Sequence, residues 1–189
     1  SAIGIKHPKL KELLHKDFSE FASVAHQLTG YDACFACMGV SAAGLNEAQY
    51  TKLTCDFSMA LARELHKINS EITFTYVSGE GTDSSEKGRQ MWARVKGKTE
   101  NDILNLGFKQ AFAFRPGAII PLRGILPSSK MYKTLITYFK WLILAIKKVA
   151  PNAVVNTTQI GLAMINVARI GYSKTIIRPK DILILAAAN

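Results

Sequence analysis

The chain has 189 residues, 48 % of them hydrophobic, which is enough to bury a core, and the length favours one domain. Its 24 Lys and Arg against 14 Asp and Glu give a formal net charge of +10, which favours anionic partners such as nucleotides, nucleic acid or acidic lipid without choosing among them. Three cysteines exclude a disulfide framework and fit a reducing compartment, so a cytoplasmic location is expected.

Residues 1–18 show no charged region followed by an apolar run, so no secretory signal is expected. Residues 10–18 fit a short strand or a helical turn equally well. "FSEFASVAHQLTG", residues 18–30, repeats apolar positions at helical spacing and closes on Gly30, which predicts a helix. "DACFACM", residues 32–38, is a short apolar run that predicts a strand buried on both faces. Residues 46–69 carry a long helical pattern, with Asn46 as its N-cap. "ITFTYVS", residues 72–78, is β-branched and aromatic and predicts a second buried strand. The polar "GEGTDSSEKG" at 79–88 is a loop, helical spacing resumes over 89–106, and "FKQAFAFRPG" at 108–117 predicts a third strand ending in a Pro-Gly turn. The remainder reads as mostly helical. Within it, the longest apolar stretch, 135–146, is interrupted by Lys140 and is too short to span a bilayer, which takes about 20 residues. Strand and helix alternate, which points to an α/β fold with a mainly parallel sheet.

Cys34 and Cys37 form a Cys-x-x-Cys spacing. On a strand, a separation of three sends the two side chains to opposite faces, so they cannot share a metal or a disulfide. A redox pair belongs at a helix N-terminus, and neither Cys55 nor His7, His15, His26 and His66 completes a zinc spacing. Buried, inert thiols and no metal site are expected.

Ligands in open α/β sheets bind beyond the carboxyl ends of the strands. Three such ends are "CMGVS" at 37–41, "YVSGEGTD" at 76–83 and "FRPGAI" at 114–119, and they are joined by "WARVKGKTE" at 92–100. Together they resemble the short-chain dehydrogenase/reductase superfamily, above all its atypical, epimerase-like members such as the Tat-interacting protein group. The resemblance implies a Rossmann-like three-layer sandwich forming one NAD(P)-binding domain over residues 1–189, with 120–175 a helical substrate-side or oligomer-forming region. It further implies that Gly39 and Val40 line the adenosine side of NAD or NADP. Ser78 would polarise a substrate carbonyl, with Thr82 a substitute, and Lys96 would hold the nicotinamide ribose. The backbone of Pro116, Gly117 and Ala118 would meet the carboxamide.

Two departures from the family pattern bear on chemistry. Trp92 stands where the family's Tyr-x-x-x-Lys motif has its tyrosine, on the same helix face as Lys96. An indole N–H does not exchange a proton as a phenol does, so Trp92 either packs or shapes the pocket. Glu80, Asp83 and Lys87 are the loop groups available as a substitute acid. The second departure is the glycine-rich phosphate turn, which does not precede the first strand; the only near match, "GEGTDS" at 79–84, lies in the wrong loop. The resemblance thus implies a chain lacking the first βαβ unit, N-terminally truncated, with the "DACFACM" strand left open. Either a longer protein or a second copy of the chain would cover it, so a homo-oligomer is expected. Residues 131–151, with Lys130, Lys133, Lys140, Lys147 and Lys148, suit helices over the substrate side or a dimer face better than contact with an acidic membrane surface. Basic residues are spread along the chain without a recognition motif, so nucleic acid is not an expected partner. The expected function is an NAD(P)-binding dehydrogenase or epimerase-like protein acting on an unidentified small carbonyl or alcohol. The alternative is a catalytically inactive nucleotide-sensing or protein-binding regulator, toward which Trp92 leans.

Overall fold

The computed structural model describes residues 7–122 and 154–188. Four parallel strands form its main sheet in the order β1-β2-β3-β6, with β1 at Ala33–Ala36, β2 at Thr73–Val77, β3 at Gln110–Phe114 and β6 at Ile176–Ile177. A separate parallel pair joins β4, Ala118–Ile120, to β5, Val154–Asn156. The α/β class with a parallel sheet holds, and the three strands read from sequence fall within the segments expected.

Register sorts the side chains. Phe74 and Tyr76 of β2 lie level with Ala111 and Ala113 of β3 and share one face; Thr75 and Val77 lie level with Phe112 and Phe114 and share the other. The first face packs against α2, Phe57–Ile68, and α3, Met91–Leu104, in a core that includes Met59, Leu65, Val95, Ile103 and Phe108. The second face packs against α4, Thr157–Ile170, and α5, Pro179–Ala187, through Met164, Val167, Ile182 and Leu185. Helices on both faces make the three layers of a Rossmann-like sandwich.

Asn46 caps its helix as expected: its side chain accepts from the Gln49 amide at 2.9 Å while Gln49 reaches back to the Asn46 amide. The long helical pattern that follows is not one α-helix. It runs as α1, Glu47–Thr51, then a π turn at Lys52–Asp56, then α2. The helix expected over 18–30 is a correction: only a 3₁₀ segment, Ala22–Gln27, forms there, and none of its residues is buried. Without a face to bury, so short a segment has nothing to offset the cost of nucleating a helix. The described C-terminal part is mostly helical as expected but also holds the short strands β4, β5 and β6; the expectations for residues 123–153, including the basic amphipathic stretch, fall outside the described residues.

The thiols also differ from expectation. Cys55 is buried, Cys34 is half-buried and Cys37 is exposed, because β1 ends at Ala36 and Cys37 lies past it. β1 itself is the edge of the described sheet rather than a strand buried on both faces. α4 and α5 cover β3 and β6 but not β1, so Phe35 is 42 % exposed with Tyr31 beside it at 48 %. A largely apolar groove of about 300 Å³ runs along this edge, lined by Leu28, Tyr31, Phe35, Leu61 and Ile72 among others.

Candidate nucleotide site at the strand ends

After β2 the chain is fastened to the end of β3: the Ser78 amide donates to the Phe114 carbonyl at 2.8 Å and the Glu80 amide to the Pro116 carbonyl at 2.9 Å. Pro116 is buried, Gly117 half-buried and Ala118 exposed as the turn passes into β4. At the end of β1, Gly39 and Val40 are exposed, and nothing lies within 4 Å of where a Cβ on Gly39 would sit. The three strand ends thus form one rim, as parallel strands require.

Lys96 reaches this rim from α3, and its ammonium donates to the Ser78 carbonyl at 2.5 Å. Burial pushes its pKa down, and the Glu100 carboxylate one turn further along the helix works against that. Trp92, one turn before Lys96, lays its ring against the loop at Gly81, where an added Cβ would come within 3.1 Å of Trp92 Cη2. Its indole N–H donates to Gln90 Oε1 at 2.9 Å, so the only polar hydrogen it has is used on its own helix end.

The remaining candidates other than Lys87 are engaged within the protein. Ser78 is buried, and its hydroxyl donates to Glu100 Oε1, with the Phe114 carbonyl at 3.1 Å as a second acceptor. A hydroxyl has one proton, so that proton points inward. Thr82 is buried and donates to the Gly79 carbonyl at 2.8 Å. Glu80 pairs with Arg178 at 2.7 Å. Asp83 accepts from the Ser85 hydroxyl at 2.6 Å and from the Gly88 amide at 2.6 Å, and these two bonds, the first above all, hold its carboxyl below the usual range. Lys87 is exposed.

Four residues that sequence reasoning passed over hold the site together. Gly97 follows Lys96 on α3, and the loop backbone lies directly on it: a Cβ there would sit 1.8 Å from the Asp83 carbonyl oxygen. A glycine inside a helix costs about 1 kcal/mol relative to alanine, which is the signal that could have found it. Glu100 and Arg115 form an ion pair whose side chains are 0 % and 5 % exposed. Arg115 Nε donates to both Glu100 oxygens, at 3.0 and 3.1 Å, and its Nη2 also donates to Ser84 Oγ at 2.5 Å. Asn101 adds a bond from its amide to the Ser84 carbonyl at 3.0 Å. The loop over 79–88 is therefore anchored to α3 and to the end of β3 rather than hanging free.

No family model matches the chain. It is 31 % identical over 122 residues to Protein fmp52, mitochondrial, of Emericella nidulans, covering 63 % of this chain and 51 % of that protein. It is 27 % identical over 104 residues to Protein HTATIP2 of Rattus norvegicus, covering 55 % of this chain and 42 % of that protein. These relatives are in keeping with the parallel α/β sheet. Both relatives are consistent with the resemblance to the atypical short-chain dehydrogenases/reductases. The match spans about half the length of these two relatives or less. In this chain Lys96 has Trp92 four residues before it, and among the described residues no glycine-rich strand-to-helix turn precedes β1.

Proposed function

We propose that this chain forms the nicotinamide side of an NAD or NADP site in an epimerase-like short-chain dehydrogenase/reductase acting on a small carbonyl or alcohol. The observation that carries the proposal is Lys96: a cation on a rigid helix, delivered through its bond to Ser78 to the rim where β1, β2 and β3 end. In this reading Lys96 holds the ribose hydroxyls, the backbone of Pro116, Gly117 and Ala118 faces the carboxamide, and Gly39 and Val40 border the adenosine. Ser78 lies on the substrate side. NAD and NADP differ only at the adenosine ribose, so nothing on the nicotinamide side chooses between them.

A second reading is favoured by Trp92. Its N–H is bonded to Gln90, and Glu80 and Asp83 in the neighbouring loop are occupied by Arg178 and by Ser85 and Gly88. A site that binds a nucleotide without a proton donor in place serves a regulator that senses the nucleotide.

Calorimetric titration of NADH and NADPH tests both readings, performed on this chain and on a longer polypeptide spanning the full length of its relatives. Binding with turnover of carbonyl or alcohol substrates supports the enzyme, and binding without turnover of either the sensor. If neither nucleotide binds either polypeptide, both fail. A cytoplasmic location is kept as a proposal, supported by the cysteine count. Among the described residues no helix is long and apolar enough to cross a membrane, and the Emericella relative is mitochondrial by name.

A further inference from the structure

Two different atoms of Ser78 are held by two residues of one helix. Its carbonyl accepts from Lys96 Nζ at 2.5 Å, and its hydroxyl donates to Glu100. Lys96 and Glu100 are four apart on α3 and so lie on one face. Glu100 in turn is gripped by Arg115, which also bonds Ser84 in the loop. One fully buried carboxylate thus connects α3, the end of β2, the end of β3 and the middle of the 79–88 loop.

A buried ion pair is weak evidence for stability, because desolvating two charges offsets much of their attraction. What such a pair does supply is geometry, since an uncompensated partner is costly and the bonded arrangement is the low-energy one. Here the geometry it sets is that of the proposed ligand contacts. We infer that Glu100 is a positioning residue: through Ser78 it fixes where the Lys96 ammonium sits and turns the Ser78 hydroxyl proton inward, so Ser78 meets a ligand as an acceptor. The site then selects for a hydroxyl presented to Ser78, as an alcohol or a sugar provides, over a bare carbonyl oxygen.

The inference deepens the proposed function, but its test does not depend on nucleotide binding. In the chain prepared with carbon-13-labelled lysine, the Lys96 signal is assigned by its loss in Lys96→Arg and titrated with pH. Among the described residues, Glu100 on its own helix and, behind it, Arg115 from the end of β3 are the charged groups that reach this corner. Glu100→Gln keeps the shape and removes the charge, and the expected result is a Lys96 midpoint shifted down relative to the parent chain. If Glu100 only stabilises the fold, Tm falls and the midpoint stays, which overturns the inference. Should Glu100→Gln leave Arg115 stranded and fail to fold, the double variant Glu100→Gln/Arg115→Gln leaves no buried charge unpartnered; a smaller downward shift is expected of it, because losing the Arg115 cation behind Glu100 opposes part of the change, and an unshifted midpoint overturns the inference. Reduced nicotinamide mononucleotide separates the two claims. A shifted midpoint in a chain that ignores this probe sinks the nucleotide reading and leaves the positioning role, whereas binding without any shift does the reverse.

Discussion

Replacing Gly97 by alanine tests how the loop is seated. In an open helix this change stabilises by about 1 kcal/mol through helix propensity alone. Here the new methyl would lie 1.8 Å from the Asp83 carbonyl oxygen, 2.5 Å from its carbonyl carbon and 3.2 Å from the Ser84 amide. These are backbone atoms, so relief requires moving the chain at 83–84 rather than turning a side chain. That segment is held by the Asp83 amide bond to the Ala93 carbonyl at 3.1 Å, by Asn101 on the Ser84 carbonyl at 3.0 Å and by Arg115 on the Ser84 hydroxyl at 2.5 Å. Overpacking costs about 1–3 kcal/mol, and the loss of two such bonds costs about 1 kcal/mol each. Against the helical gain, the net destabilisation is about 3 kcal/mol, or about 6–12 °C in Tm for a chain of this size. Thermal melting followed by circular dichroism reads it. A Gly97→Ala protein as stable as its parent, or more so, would show that the loop does not rest on α3, and the seating of Lys96 argued here would go with it.

Three further outcomes follow from the same geometry. Asp83 is held below its ordinary pKa by Ser85 and Gly88, so its contribution is present above the unfolded value of about 3.9 and is lost as pH falls through the folded value. Hydrogen exchange at the Ser85 and Gly88 amides should therefore accelerate in that acid range, and Asp83→Asn should abolish the pH dependence; equal acid sensitivity in both proteins would exclude the role. Trp92→Tyr places a phenol four residues before Lys96, and in a nucleotide-binding form of the protein it should raise NAD(P)-dependent oxidation of simple alcohols at least tenfold, within the usual contribution of acid–base catalysis of about 10²–10⁴. Unchanged rates would show that the site lacks more than a proton donor. The open edge of β1 with exposed Phe35 and Tyr31 leads us to propose self-association. Sedimentation should show a mass rising with concentration, suppressed by Phe35→Lys, whereas a monomer at all concentrations would count against it.

What the sequence revealed and what it hid divide along physical lines. β1, β2 and β3 were legible because runs such as "TFTYV" carry their preference locally. α3 and the Asn46 cap were legible because periodicity and capping chemistry act over a few residues. β6 has two residues and exists only because Ile176 and Ile177 find β3 beside them. The segment 22–27 has helical spacing but no surface to bury it against, a fact that only the tertiary structure contains. The site divides in the same way. Lys96 and Trp92 stood out through their resemblance to the Tyr-x-x-x-Lys motif. Glu100 and Arg115 meet only because the end of β3 comes up beside α3, and a charge pair fifteen residues apart has no local signature. The inward proton of Ser78 follows from that meeting and was therefore out of reach of the sequence.

The proposed role of Lys96 as a ribose anchor is tested most directly by calorimetry with reduced nicotinamide mononucleotide, a probe that carries the nicotinamide and its ribose without the adenosine half. A saturable binding heat for the parent chain, lost in Lys96→Met while circular dichroism shows the fold intact, is the predicted result. Equal binding by the two proteins, or none by the parent, would contradict it.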